Sequence, residues 1–393
     1  MATTRHHHWR SRADERYSET DPTGSSGERA LQRLIEPAGL TLNGSQPWDP
    51  VIRDERACSE ILRRGSLGAG EAYMRGWWDA RDLSGMIYRL LRTGLPGDFG
   101  RWQILKLALR EWLTNPQRPG RAFEVGEAHY DLGNDLFRAM LDKRMVYSCG
   151  YWDGVDDLDA AQGQKLDLIC RKLGLKSGQR VLDIGCGWGS FCRFAAERYG
   201  VKAVGITVSR EQLEAGRERC EGLPVELRLQ DYRELDEPFD HIVSVGMLEH
   251  VGVKNYATLF DVARRCLKPG GLFLLHTIGQ AKTTRSSDPW VSRYIFPNGQ
   301  LPSLRQLATA CEERFVVEDL HNFGADYDRT LMAWFANFDA AWPELRERYD
   351  GTFYRMWKYY LLSCAGAFRA RETQLWQFVL SPQGLEGGYR RPV

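Results

Sequence analysis

The sequence predicts an α/β protein: a Rossmann-like, doubly wound parallel sheet with helices on both faces, preceded by a smaller, mainly helical domain. Three observations carry this. Between residues 180 and 278, short apolar runs alternate with segments of helical spacing, which implies parallel strands joined by right-handed crossovers. The first of those runs ends in a glycine turn that opens directly into a helix. The chain of 393 residues is also long enough for a second unit beside one full core.

Residues 1–28 are polar and rich in Ser, Thr, Arg and Glu, with His6, His7 and His8 in a row. They read as a disordered tail. Residues 29–115 read as an N-terminal domain with its linker, and 116–393 as the catalytic domain. Within the first, residues 30–35 have helical spacing, and residues 65–95 give glycine turns, a helix and exposed-looking aromatics, Trp77 and Trp78 among them. Adjacent tryptophans cannot share one face of a regular element. Either one is core and the other lies at a domain seam, or the pair anchors at lipid headgroups. From residue 86 to 121, apolar stripes (Met86, Ile87, Leu90, Leu91; Trp102, Leu105, Leu109, Trp112) are set among seven Lys/Arg. Such a segment is a linker helix with a solvated basic face, or an amphipathic helix on an anionic membrane.

The catalytic domain opens with a helix around 129–141 and an aromatic, extended lead-in over 144–152. A helix over 160–173 ends at Gly174. Strands are expected at 181–184, 201–209, 225–229, 239–252 (a strand with its loop) and 271–278, with helices at 191–199, 211–220 and 256–266. A short helix follows Asp288, another spans 304–313, and two long aromatic-rich helices occupy 330–350 and 352–381.

The turn after the first strand reads Asp183-Ile-Gly185-Cys186-Gly187-Trp-Gly189. Glycines let a ligand approach the backbone, and the helix N-terminus behind them favours an anionic or carboxylate-bearing group. The spacing is not that of dinucleotide folds and there is no triphosphate loop. It is the usual opening of S-adenosylmethionine-dependent methyltransferases. Ligands in such sheets sit beyond the strand carboxyl ends, where Gly185, Gly187, Thr207, Asp231, Glu249 and His276 fall. An acid and a histidine at neighbouring strand ends can hold or move a proton. No acidic residue follows the second strand, so ribose recognition is assigned to Gln212.

Composition narrows the field. A net charge of +1 gives no overall pull toward nucleic acid, although residues 1–121 carry 19 Lys/Arg against 15 Asp/Glu. Nine scattered cysteines without paired spacing fit a reduced, cytoplasmic setting and no metal site. The longest apolar runs are too short to span a bilayer, so membrane contact is expected to be peripheral.

Several long motifs carry a resemblance: GEAYMRGWWD, EAHYDLGND, YSCGYW, LDIGCGWG, GITVSREQ, LQDYREL, FDHIVSVGMLEHVG, DPWVSRYIFPNGQLPS, HNFGADYDRTLMAW and CAGAFRARETQLWQ. Over roughly residues 65–380 the chain resembles the cyclopropane fatty-acyl-phospholipid synthase family, related to the mycolic acid cyclopropane synthases. The resemblance implies transfer of a methylene from S-adenosylmethionine to the cis double bond of a phospholipid acyl chain. It implies that Tyr147, Ser148, Asp183, Gly185, Cys186, Gly187, Thr207, Gln212, Asp231 and Tyr232 surround the methyl donor. It implies that Glu249, His276 and Tyr327, with backbone groups of Cys149 and Ile278, hold a bicarbonate ion that acts as general base. Cys364 matches a family cysteine proposed as catalytic, although the chemistry needs no thiol nucleophile. The family's usual YSCAY reads YSCGY here, with Gly150 for alanine. A peripheral place at the inner face of an anionic membrane and a homodimer are also implied. The rival readings are a lipid C-methyltransferase that does not close the ring and a non-catalytic lipid-binding homologue.

Overall fold

The central strand, β3 (Arg180–Ile184), has a parallel neighbour on each side: β4 (Lys202–Thr207) and β6 (Phe239–Val245). The computed structural model describes residues 24–94, 133–284 and 287–392. The histidine run, the expected tail up to residue 23, the 115/116 boundary and the basic stretch from 95 to 121 lie outside the described residues. The sheet has seven strands in the order β5-β4-β3-β6-β7-β9-β8, with β5 at Val225–Leu229, β7 at Leu267–Gln280, β8 at Val316–Asn322 and β9 at Thr373–Ser381. The chain leaves β3 toward β4 and later returns to β6 on the other side. The strand order therefore reverses at the carboxyl ends of β3 and β6, which opens a crevice there.

Alternation along the strands builds two cores. Val181, Val243, Leu272 and Leu274 pack with Leu166, Ile169 and Leu173 of one helix and Phe191 and Phe194 of another. Leu182, Ile184, Ile242, Phe273 and Leu275 turn to the opposite face, against Leu259, Phe260, Ala263 and Leu307. Burying each such side chain contributes roughly 1.5–3 kcal/mol.

The helices, in chain order, are α1 (Gly24–Ile35), α2 (Arg56–Met74), α3 (Leu83–Thr93), α4 (Asn134–Met140), α5 (Leu158–Leu173), α6 (Ser190–Tyr199), α7 (Arg210–Arg219), α8 (Tyr256–Cys266), α9 (Pro289–Tyr294), α10 (Leu304–Cys311), α11 (Ala325–Leu345) and α12 (Gly351–Arg369). α1 starts within the stretch read as tail. The expected helix over 160–173 is α5, closed by Gly174 in the left-handed conformation. The N-terminal helices, with the two-stranded β1 (Val51–Ile52) and β2 (Trp78–Asp79), share a core with α4, α11 and α12. Tyr73, Trp78, Leu83 and Met86 pack there with Phe137, Trp334, Trp357 and Tyr359.

One expectation is corrected. The long helix read over 352–381 ends at Arg369. The chain reverses through Arg371, at φ +64°, and residues 373–381 form β9, inserted antiparallel between β7 and β8. β9 is buried at nearly every position. A strand covered on both faces shows no alternation and is easily mistaken for buried helix. The parallel sheet is thus interrupted by one antiparallel strand, β9, beyond which β8 runs again in the common direction.

The N-terminal part also grips α9. Gly70 faces the buried Trp290 indole, and a Cβ there would lie 2.2 Å from its Cδ1. Tyr294 on α9 donates from its hydroxyl to Glu71 of α2 at 3.0 Å.

Candidate active site

At the crevice, the turn after β3 is one that glycine alone adopts without strain. Gly185, Gly187 and Gly189 all have positive φ, and a Cβ on Gly185 would fall 2.7 Å from Met247 Cγ. Gly189 caps α6, whose first residues, Ser190 and Phe191, line the opening. Thr207 ends β4 and donates from Oγ1 to Gln212 Oε1 at 3.1 Å. Ser209 caps α7. Asp231 and Tyr232 follow β5, with the Asp231 carboxylate accepting from the Arg233 N–H. The loop before α5 brings Tyr147 and Ser148 over the same opening. All ten residues read from the sequence as donor-binding line this one cleft: Tyr147, Ser148, Asp183, Gly185, Cys186, Gly187, Thr207, Gln212, Asp231 and Tyr232.

The sequence reading missed two polar residues on α5. Lys165 is fully buried in the cleft wall and donates to Ser148 Oγ at 2.8 Å. Gln162 donates to the Ser148 carbonyl at 2.7 Å. Together they fasten the loop that carries Tyr147 and Ser148. Burial pushes the Lys165 ammonium down to about 8, partly offset by the nearby Asp142 and Asp183 carboxylates. Burial pushes Asp183 up to about 7, against the pull of Lys165. Asp183 Oδ1 is buried with no hydrogen-bond partner. A buried acceptor aimed into a glycine cradle suits the ammonium of an amino-acid-bearing donor.

The acid and the histidine of the sequence reading adjoin this cleft: Glu249 lies between the lining residues Met247 and His250, and His276 pairs with the lining residue Val245. Glu249 sits in a single turn just past β6 and His276 lies inside β7, four residues before its end rather than beyond it. The β7 backbone holds the acid, since the Ile278 N–H donates to Glu249 Oε1 at 2.7 Å. Oε2 is buried and has no partner. Burial pushes the Glu249 carboxyl up to about 7, opposed by that N–H, by its own backbone N–H and by the Thr277 hydroxyl. The His276 Nδ1 faces Gln377 Nε2 at 3.1 Å, and its Nε2 is buried and unpartnered. Burial, with Lys165 and Lys172 nearby, holds the imidazole well below its ordinary value, and the ring is neutral.

Tyr327 stands in the first turn of α11. Its hydroxyl is raised by burial and by the neighbouring Cys149, Tyr147, Glu249 and Cys364, which ties these residues to one locality. α11 also fastens the 148–152 loop. Thr330 Oγ1 accepts from the Gly150 N–H at 3.0 Å and from Trp152 Nε1 at 2.9 Å. Cys149 is fully buried. Cys364 on α12 is half-buried, and burial pushes its thiol up to about 12, so the sulfur is a neutral thiol rather than a nucleophilic thiolate.

Aromatic rings pack around the cleft residues Tyr147 and His250. Tyr147 donates to or accepts from the Tyr360 hydroxyl at 2.8 Å and packs on Trp334 and Phe137. Phe296 lies edge-on to Tyr360 and to His250. Of the late-helix aromatics expected as tunnel walls, Trp334, Phe338, Trp357 and Tyr360 are buried core, while Phe335, Trp342 and Phe353 are packed against it at partial exposure.

Comparison with known proteins follows this geometry. Residues 117–378 match the family model described as mycolic acid cyclopropane synthetase. The chain belongs to that family. The cyclopropane-fatty-acyl-phospholipid synthase of Escherichia coli K12 is 53% identical to this family member over 364 residues, 92% of the chain and 95% of that protein. Among solved structures, the cyclopropane synthase MmaA2 from Mycobacterium tuberculosis superposes with a TM-score of 0.62 at 33% identity, covering 66% of this chain and 97% of that one. The mycolic acid cyclopropane synthase CmaA1, solved as a complex with SAH and CTAB, gives 0.62 at 32% identity with the same coverage. The family and its fold make the chain an S-adenosylmethionine-dependent methyltransferase of lipid biosynthesis. Among the described residues, no helix is long and apolar enough to cross a membrane.

Proposed function

We propose that this family member is a cyclopropane-fatty-acyl-phospholipid synthase, with the glycine-lined cleft as its donor site and the Glu249–His276 chamber as its reaction site. When bound, S-adenosylmethionine supplies an electrophilic methyl group. Asp183, Ser148 and Lys165 would bind its amino-acid end, and Thr207, Gln212, Asp231 and Tyr232 the nucleoside end. An isolated alkene is a weak nucleophile, so the acyl chain must be held against the methyl group in a dry site. Tyr147, Tyr360, Phe296 and Trp334 give that site its apolar walls. Tyr147 and Phe296, with Tyr151 at the loop, would stabilise positive charge on the chain by roughly 1–2 kcal/mol each where desolvated.

Ring closure also needs a proton removed from the added carbon. The observation that carries the reading is the pair of buried, unpartnered atoms on neighbouring elements, Glu249 Oε2 just past β6 and His276 Nε2 within β7. Buried polar atoms in native structures are paired with protein, water or ligand. A small oxyanion with one O–H fits this pair: the hydroxyl donates to the carboxylate and an oxygen accepts from the imidazole N–H. Hydrogencarbonate held there, with Tyr327 and the backbone of Cys149 and Ile278 around it, would supply the base. Cys364 contributes packing in this scheme. The N-terminal part would dock the enzyme on an anionic phospholipid surface and pass the acyl chain inward.

The test is direct. Purified protein, vesicles of unsaturated phospholipid and S-adenosylmethionine should yield acyl chains heavier by one methylene, with cyclopropane ring protons in the NMR spectrum. Added mass with a methyl-branch spectrum would establish methylation without closure. No added mass would defeat the proposal. Turnover should fall in carbonate-free buffer and return on adding bicarbonate.

A further inference from the structure

His276 and Gln377 are directly opposite each other in the antiparallel β7/β9 pair, and neither is exposed to solvent. The Gln377 amide nitrogen stands 3.1 Å from His276 Nδ1, while His276 Nε2 has no protein partner. Two buried ammonium groups lie near the ring. Lys165 and Lys172 are seven residues apart on α5, hence on one face, and both bear on His276. With cations nearby and no solvent, the ring carries a single proton, and the nitrogen that holds it decides what the ring can do.

We propose that Gln377 is a positioning residue for the reaction: its amide donates to His276 Nδ1, leaves the proton on Nε2 and presents that N–H as a donor to the chamber. The opposite arrangement has a specific cost. If Nδ1 carried the proton, Gln377 would turn its oxygen to the ring, and both N–H bonds of its amide would point where Oε1 now lies buried without a partner. Buried N–H groups without acceptors are rarer than under-satisfied carbonyl oxygens. It would also leave His276 Nε2 as a second buried acceptor without a donor, as Glu249 Oε2 already is. With Nε2–H, one wall of the chamber donates and the other accepts. That arrangement selects a ligand bearing both an O–H and an acceptor oxygen, and repels a doubly deprotonated or purely donating one. This deepens the reading of the chamber given above and rests on His276 facing it.

The test is the tautomer. In ligand-free protein labelled with ¹⁵N-histidine, with His276 assigned by comparison with His276→Gln, the ring should be neutral and protonated at Nε2. Gln377→Met keeps the length and loses the donor. It should shift the His276 proton toward Nδ1 and lower turnover by about tenfold or more, with S-adenosylhomocysteine affinity unchanged. A wild-type ring protonated at Nδ1, or a Gln377→Met ring and rate indistinguishable from wild type, would overturn the proposal. The wild-type spectrum decides even if the variant misfolds. It is independent of bicarbonate, so an enzyme that ignores bicarbonate yet shows the Nε2–H ring would fail the earlier reading and leave this one standing.

Discussion

The Ile278 N–H donates to Glu249 Oε1 at 2.7 Å, so the backbone of one strand orients the carboxylate that follows the neighbouring strand. One oxygen is fixed and the other is left for chemistry. Glu249→Gln keeps the size, and its amide oxygen can still accept from Ile278, but the second oxygen becomes a donor. The variant should bind S-adenosylhomocysteine within about twofold of wild type and lose 10²–10⁴-fold in turnover, the usual worth of a general acid–base group. Calorimetry and acyl-chain mass spectrometry measure the two. Near-normal turnover removes Glu249 from the reaction.

The pH dependence has a definite sign. Burial raises the Glu249 carboxyl from its ordinary range to about 7, so below that pH it is protonated and cannot accept a proton-bearing ligand. Turnover at saturating donor should rise through about pH 7 and then level off, and the rising limb should vanish in Glu249→Gln. His276, held neutral well below its ordinary value by burial, should add no limb of its own in this range. A wild-type profile that falls as pH rises through 7 would contradict the assignment.

How much of this could be read beforehand follows from what each residue's neighbours reveal. The parallel half of the sheet was legible because apolar runs, glycine turns and helical spacing agree there. Gly185, Gly187, Thr207 and Asp231 sit at strand ends that topology alone makes adjacent, whereas Tyr147 and Ser148 come from the loop before α5 and only the resemblance pointed to them. The antiparallel half was not. No glycine or proline marks the reversal after Arg369; Arg371 itself takes the left-handed conformation, and β9 lacks alternation because helices and neighbouring strands cover it on both sides. Misreading β9 hid Gln377 and with it the partner of His276. Lys165 and Gln162 were hidden for a different reason: polar side chains on a helix are read as solvent-facing, whereas these two are buried against the Ser148 loop.

Lys165→Met tests that inward face. The ammonium donates to Ser148 Oγ and offsets Asp183. Losing a charged hydrogen bond of this kind costs about 1.5–3 kcal/mol, so donor affinity should weaken by roughly tenfold to a hundredfold. A truncated nucleoside without the amino-acid end should bind wild type and variant alike. Equal weakening of both ligands would mean that the loop has collapsed rather than lost a specific contact.

Gly70→Ala tests the joint between the N-terminal helices and α9. A Cβ at that position would lie 2.2 Å from Trp290 Cδ1, and the indole is fully buried with no room to withdraw. Overpacking of this kind costs typically 1–3 kcal/mol, measurable as a lower denaturant midpoint. The consequence should reach the chamber. α9 leads into Phe296, and the Gln300 N–H, four residues on, donates to the Glu249 carbonyl at 2.8 Å. Turnover should therefore fall by more than the folded fraction does. A variant as stable as wild type would show that α9 repacks freely.

The adjacent tryptophans separate packing from surface recognition. Trp78 is buried and its Nε1–H donates to the Ala69 carbonyl at 2.8 Å. Trp77 is half-exposed, with the guanidinium groups of Arg56 and Arg75 over its ring at 4.5 and 4.9 Å. An amphipathic ring set between cations suits a headgroup layer that carries negative charge. Trp78→Ala should destabilise the fold by about 3–5 kcal/mol. Trp77→Ala should leave the unfolding midpoint nearly unchanged and weaken flotation with anionic vesicles by about fivefold or more, equivalent to roughly 1 kcal/mol or above. The loss should shrink at high salt, where the cationic part of the attraction is screened. Flotation unchanged by Trp77→Ala would move the docking surface elsewhere on the chain and return Trp77 to the seam reading.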